Sequence, residues 1–221
     1  MKLNLRALSV TSSLAVALSL ATVAHADPIV ANGTFSTGLT SWSTSGSGTT
    51  PGIGITVITL GGTNSDGFGD NIADAPGGTN HGVYFVDDNA NENLSQSVTL
   101  AANTSYDLTF DLYATGSGSG NNYNFLLTDS VGNLVSSAFG NGTQPGAAGV
   151  PVGVWTPESV AFTTGAAGSY TLDFDFTSGA TPAKDVVLTN VAINAVPEPS
   201  SFVLLGSGLL AAAGVVRRRL S

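Results

Sequence analysis

Tyr106, Leu108, Phe110 and Leu112 alternate with Asp107, Thr109, Asp111 and Tyr113, and the same two-residue period returns twice more. Leu94, Gln96, Val98 and Leu100 alternate with Ser95, Ser97 and Thr99, and Tyr170, Leu172, Phe174 and Phe176 with Thr171, Asp173, Asp175 and Thr177. Successive side chains of a strand point to opposite faces, so this period describes antiparallel strands with one face on a core and one in water. Weaker strand candidates are Ile53 to Leu60, Val83 to Val86, Tyr123 to Thr128, Val160 to Thr163 and Val186 to Ile193. Turn-rich stretches such as Thr115 to Gly120 and Gly140 to Pro151 separate them. Eight or so short strands with glycine-rich connections predict an all-β chain, a single antiparallel β-sandwich.

Both ends have a different character. Lys2 and Arg6 precede an apolar run from Ala7 to Val23, and Ala24-His25-Ala26 then offers a small-x-small cleavage site. That three-part order predicts a signal peptide over 1–26, exported by the Sec machinery and cut by signal peptidase after Ala26. At the other end Val196-Pro197-Glu198-Pro199 leads into Ser200 to Val216, 17 residues without a charge, and then Arg217, Arg218 and Arg219. As a helix this stretch would reach roughly 25 Å, about one bilayer core. The arginines hold its end in the cytoplasm by the positive-inside rule, leaving the body outside. Pro197 and Pro199 keep the junction extended, as a processing enzyme requires. The chain thus divides into a signal peptide (1–26), a sandwich domain (27–195) and a C-terminal segment with a transmembrane helix (196–221).

Pro197-Glu198-Pro199, the short hydrophobic helix with glycine and alanine, and the terminal arginine cluster together resemble the PEP-CTERM sorting signal. The resemblance implies an exosortase as processing partner, acting on an inner-membrane-anchored intermediate. It also implies a Gram-negative bacterium that makes extracellular polysaccharide, with the product at its surface or in its matrix.

Charge and residue inventory exclude much chemistry. Of 6 basic residues only Lys184 lies in the body, against fourteen of the 15 acidic ones. Such a polyanion repels phosphate backbones, so no nucleic-acid partner is expected. With no cysteine there are no disulfides, thiolates or thiolate-bound metals. His81 is the one histidine of the body, too few for a histidine zinc site, and Thr79-Asn80-His81-Gly82 reads as a surface turn. No Gly-x-Ser-x-Gly or phosphate-binding loop occurs, and no cofactor is expected.

Carboxylates and aromatics remain. Asp107 and Asp111 share a strand face, as do Asp173 and Asp175; they form either a solvated face or a cation stripe. Asn64, Asp66, Asp70 and Asp74 lie in a glycine-rich loop that is either solvent-facing or a loose calcium cage. Trp42, Tyr84, Tyr113, Tyr123 and Trp155 could stack on sugar rings. Trp42 and Trp155 are expected in the core, whereas Tyr113, alternating with core-facing Leu112, is the better exposed. Tyr113 with Asp111 is therefore the candidate sugar contact.

Asn32-Gly33-Thr34-Phe35 with Gly38-Leu39 and Trp42 resembles the opening of secreted jelly-roll modules related to carbohydrate-binding domains. Leu94-Ser95-Gln96-Ser97-Val98 with Tyr106 to Asp111 is similar to their central strands, and Trp155 to Phe162 and Leu188 to Ile193 to their closing strands. The resemblance implies a jelly-roll sandwich. Those modules often carry structural calcium on two acids, at whose places this chain has Ser36 and Thr189, so the fold is expected to form without it.

The reading is an exported surface or matrix protein, non-enzymatic, associated with extracellular polysaccharide. The alternatives are a secreted hydrolase of that polysaccharide and a calcium-dependent adhesin. The mature protein is expected to lack both ends; intact mass of material recovered from envelope or medium checks this. Retention of Arg217 to Arg219 after maturation would refute it.

Overall fold

The computed structural model describes residues 28–48, 54–62, 71–86, 89–116, 122–138, 151–177 and 185–196. The expected signal peptide with Ala24 and Ala26, and the segment from Pro197 through Arg219, lie outside these residues, as do Asn64 to Asp70. Ten strands are present: β1 (Ser43–Gly48), β2 (Thr56–Thr59), β3 (His81–Phe85), β4 (Asn89–Leu100), β5 (Ser105–Ala114), β6 (Asn122–Asp129), β7 (Leu134–Ala138), β8 (Thr156–Thr163), β9 (Gly168–Thr177) and β10 (Val186–Ala195). They form two five-stranded sheets, ordered β1-β4-β9-β6-β7 and β2-β3-β10-β5-β8, with every pairing antiparallel.

Only the β2–β3 and β6–β7 connections stay within one sheet, and all others cross over. That is a sandwich, as the alternation and turn spacing predict, with the jelly-roll pattern that the resemblance implies. The three strongly alternating segments are β4, β5 and β9, and all are central or next to central. β1 and β7 have no expectation in the sequence because neither alternates apolar with polar residues: Ser43–Gly48 is STSGSG and Leu134–Ala138 is LVSSA. Ser43–Gly48 has no apolar residue at all, since an edge strand can hold its place by ladder hydrogen bonds without facing the core.

The inner faces meet in a core that includes Phe85, Leu94, Val98, Leu108, Phe110, Leu112, Phe125, Leu172, Phe174 and Phe176. The opening segment closes one side of it. Phe35 and Trp42 pack ring against ring at 5.3 Å, and Trp42 meets Phe174 at 6.2 Å. Asn32 fixes this loop: its side-chain amide donates to the carbonyls of Gly38 (2.8 Å) and Thr40 (3.0 Å). The loop docks on β10 through Gly33, whose carbonyl accepts from the Val191 amide at 2.9 Å. A Cβ at residue 33 would fall 1.9 Å from the Val191 carbonyl oxygen, so only glycine permits the approach.

A second apolar cluster lies on the outer face of the β2-β3-β10-β5-β8 sheet. Ile58, Leu60, Ile72, Ala75, Tyr84, Val86, Tyr113 and Val187 form it, with Trp155 against its rim. The connection between β2 and β3 covers this face.

Phe174 touches Trp42, Phe110 and Phe125 and is fully buried. Phe174→Ala is expected to cost about 3–5 kcal/mol, a large share of an ordinary domain's stability. Denaturant unfolding should show a lower midpoint with little change in slope.

Candidate functional site

Strands β5 and β8 pair from Ser105↔Thr163 to Leu112↔Thr156. Their shared outer face carries Asp107, Thr109, Asp111 and Tyr113 from β5, with Ala161, Ser159, Pro157 and then Trp155 beside them. At its middle a cleft of about 280 Å³ is lined by Thr109, Phe110, Asp111, Pro157, Glu158, Ser159 and Asn190. The residues around it form a row of hydrogen bonds. Ser159 Oγ donates to Asp107 Oδ1 at 2.7 Å, and Asn190 Nδ2 donates to Asp111 Oδ2 at 2.7 Å.

Asn190 is positioned by the backbone. β10 shifts register between Thr189 and Ala192, and Asn190 takes a positive φ of 55° there, a geometry asparagine tolerates. The bulge turns its amide across the sheet. It accepts from Thr79 Oγ1 at 2.6 Å and donates to the Pro76 carbonyl at 3.0 Å as well as to Asp111. Asn190 thereby ties the covering connection to the cleft.

The sequence expectation of an exposed Tyr113 is not met. The alternation does place it outward, yet it is 7% exposed, because the second apolar cluster roofs that end of the face. Asp111 is equally enclosed at 7%. Tyr84 is fully buried, and its hydroxyl donates to Asp185 Oδ2. The Tyr123 side chain lies outside the described ones, among which the accessible aromatic is instead Trp155, which was expected in the core. It is half-buried, sits 5.3 Å from the Tyr113 ring and donates from Nε1 to the Ala73 carbonyl at 2.9 Å. Trp155 and core-facing Phe162 are seven positions apart in one extended run. An odd separation in a strand means opposite faces, a signal the sequence already held. Trp42 is in the core, as expected. Val152 and Val154 flank Trp155 and are 43% and 56% exposed.

Glu158 points inward at this edge strand, opposite Phe110, and burial pushes its carboxyl above the usual range. His81 is not a turn residue. It opens β3, half-buried, its Nδ1 enclosed without a hydrogen-bond partner and its carbonyl accepting from Thr189 Oγ1 at 2.7 Å. Thr189 itself is fully buried and Ser36 exposed. Among the described residues no three acids or histidines converge as metal ligands.

On the outer face of the other sheet, the pairing of β4 with central β9 is polar, and Leu126 of β6 stands opposite Asp173 on its other side. There Asn93 Nδ2 donates to Asp173 Oδ1 and, at 2.7 Å, to Asp175 Oδ1, so one amide bridges two carboxylates across β4 and β9. Burial, opposed in part by the Asn93 bond, raises the Asp173 carboxyl, and the Asp175 charge adds to the rise.

Residues 195–219 match the PEP-CTERM protein-sorting motif. The chain therefore carries that motif, which indicates export and a membrane-anchored intermediate, handled by an exosortase, in a Gram-negative bacterium. No curated protein matches the sequence. Among solved structures the chain is similar to the module TmCBM61 in complex with β-1,4-galactotriose, with 17% identity and a TM-score of 0.54 over 77% of this chain and 100% of that one. It is also similar to the enzymatically active domain of tailspike protein 4 of bacteriophage CBA120, with 16% identity and a TM-score of 0.52 over 76% of this chain and 21% of that one. A family 16 carbohydrate-binding module aligns with 20% identity and a TM-score of 0.48 over 75% and 99%. The first two likenesses establish the jelly-roll sandwich fold. Among the described residues no helix is long and apolar enough to cross a membrane.

The raised Asp173 carboxyl has a definite sign. Its folded form holds the proton more tightly than the unfolded chain, so this group's contribution to stability falls as pH rises through the folded value. Asp173→Asn is therefore expected to raise Tm at neutral pH, with the gain shrinking as pH falls into the carboxylate range. Melting curves of both proteins across that range check it; a gain independent of pH would contradict the assignment.

Proposed function

We propose that this is an exosortase-sorted protein of the cell surface or extracellular matrix, whose sandwich binds extracellular polysaccharide without turning it over. The observation that carries the reading is Trp155, accessible on the rigid Tyr113 beneath it, at one end of a face that continues into Asp111, Thr109 and Ser159. Sugar rings present apolar C–H faces that stack on an indole, while carboxylates and hydroxyls accept and donate to the ring hydroxyls. Trp155 is held by its Nε1 bond to Ala73, so little rotamer freedom is lost on binding. The sorting motif supports placement among secreted polysaccharide. The fold that TmCBM61 uses with β-1,4-galactotriose supports the ligand class by analogy only.

A hydrolase is the second reading: Glu158 has a raised carboxyl and its strand position lines the cleft, although its side chain shares the inner face with Phe110 while Asp111 lies on the outer one. A calcium-dependent adhesin is the third. The exported protein, titrated against the polysaccharide of its own producer, separates them. Binding is expected to weaken about tenfold or more in Trp155→Ala, about 1.4 kcal/mol, to survive a calcium chelator, and to release no reducing ends. Reducing ends that vanish in Glu158→Gln would establish the hydrolase, and chelator-sensitive binding the adhesin. Tyr113→Ala is expected to lower Tm along with binding, since it removes the support of Trp155.

A further inference from the structure

Strand directions divide the sandwich into two poles. One pole collects the turn after β4 (Ala101–Thr104), the hairpin after β6 (Asp129–Asn133) and the turn after β8 (Thr164–Ala167). Their flanking pairs are Leu100↔Gly168, Ser105↔Thr163 and Asp129↔Tyr170. β10 ends here too, with Ala195 beside Tyr106 and the Val196 amide donating to the Ser105 carbonyl at 2.9 Å. The opening segment runs back to the same pole, where Pro28 and Ile29 share a groove with Ile193 and Asn194. The described body therefore begins at Pro28 and ends at Val196 at one pole. Trp155 belongs to the other end, eight residues up β8 from Thr163 and so about 26 Å away along the strand.

This pole has a distinct surface. Among its described turn and exit residues Asp129 is the sole charged side chain, and its carboxylate is engaged by the Val131 and Asn133 amides at 3.0 and 2.9 Å. Val131, Leu134 and Val196 stand 78%, 59% and 44% exposed here, three of the five large exposed hydrophobics among the described residues. Asp111, Glu158, Asp175 and Asp185 all lie in the distal half. Asp107 is nearer, bonded along the sheet face to Ser159.

We propose that in the membrane-anchored intermediate this pole faces the lipid surface, holding the Trp155 face outward. Tether length argues for lipid as the occupant. From Val196 to Ser200, where the apolar stretch begins, the chain reaches at most about 14 Å, less than half the height of a ten-residue strand. The body cannot turn its distal pole to the bilayer on such a lead. Charge acts the same way. An anionic leaflet repels carboxylates within about 8–10 Å of it, which leaves the nearly uncharged end as the one that approaches at least cost. The sandwich can then fold completely while still anchored, with both ends of the described body presented to membrane-bound enzymes and the polysaccharide face unobstructed.

The proposal uses the anchored intermediate and not the sugar reading, so the two stand or fall apart. The chain has no cysteine, and single cysteines can be placed by Val131→Cys and Asn103→Cys at this pole and Val154→Cys at the other. The full-length chain, labelled with an environment-sensitive fluorophore, is reconstituted in vesicles of phosphatidylethanolamine and phosphatidylglycerol containing headgroup-spin-labelled lipid. Quenching is expected at positions 131 and 103 and to be several-fold weaker at 154. Equal quenching at all three, quenching at 131 alone, or stronger quenching at 154 would overturn the orientation. Failure of the full chain to float with the vesicles would overturn the anchored intermediate and the proposal with it.

Discussion

Phe174 sits where the two sheets and the opening loop converge. Its ring lies 5.3 Å from Phe110 on the opposite sheet, 5.7 Å from Phe125 beside it and 6.2 Å from Trp42 in the loop. Without disulfides, burial of this kind must hold the sheets together. The aromatic contact also fixes register. A one-residue slip of β9 would turn Phe174 out and Asp173 and Asp175 in, placing two carboxylates in the core. The cost of that alternative is why the period-two pattern specifies the fold so strongly. The Gly33–Val191 approach then seats the loop, and Trp42 with it, over the open side of the core.

Legibility followed burial. β4, β5 and β9 were readable because each alternates core-facing apolar residues with mostly polar ones, so composition reports the alternation directly, even where the outer face of β5 is roofed. β1 was not, since Ser43–Gly48 is held by its ladder with β4 and buries no apolar side chain that could mark it. The site was half readable. Alternation placed Asp111 and Tyr113 on one outer face correctly, but alternation cannot say what covers a face. Ile58 of β2 and Leu60, Ile72 and Ala75 of the connection after it come 38 to 55 residues earlier in the chain, and no local pattern ties them to Tyr113. The Trp155 orientation was in principle available from its odd spacing to Phe162. The Asn190 bulge was not, because a positive φ at asparagine leaves no trace in a single sequence.

The covering connection gives the outer face its chemistry. Were the face bare, Tyr113 and Val187 would be exposed and Asp111 a solvated carboxylate. Roofed, Tyr113 becomes the floor under Trp155, and Asp111 becomes an acceptor fixed by Asn190. The same amide that secures the roof through Thr79 and Pro76 also orients the carboxylate. Stability of the roof and geometry of the cleft are thus one property, and a loosened connection would disorder both.

Jelly-roll connectivity adds a consequence at larger scale. Strands must turn at one pole or the other. Here the short β3 to β4 link lies at one pole, while the turns after β4, β6 and β8 lie at the other, where both ends of the described body emerge. Short turns need few polar side chains to satisfy their backbone, so that pole is small-residued and nearly free of charge. The long connections fall at the opposite pole, β5 to β6, β7 to β8 and β9 to β10 among them, and the Trp155 rim stands beside them. A body tethered through Val196 therefore has its more acidic end displaced from the tether by the full strand length. The separation follows from topology alone, before any particular ligand or lipid is considered, and it would persist if every surface side chain were changed.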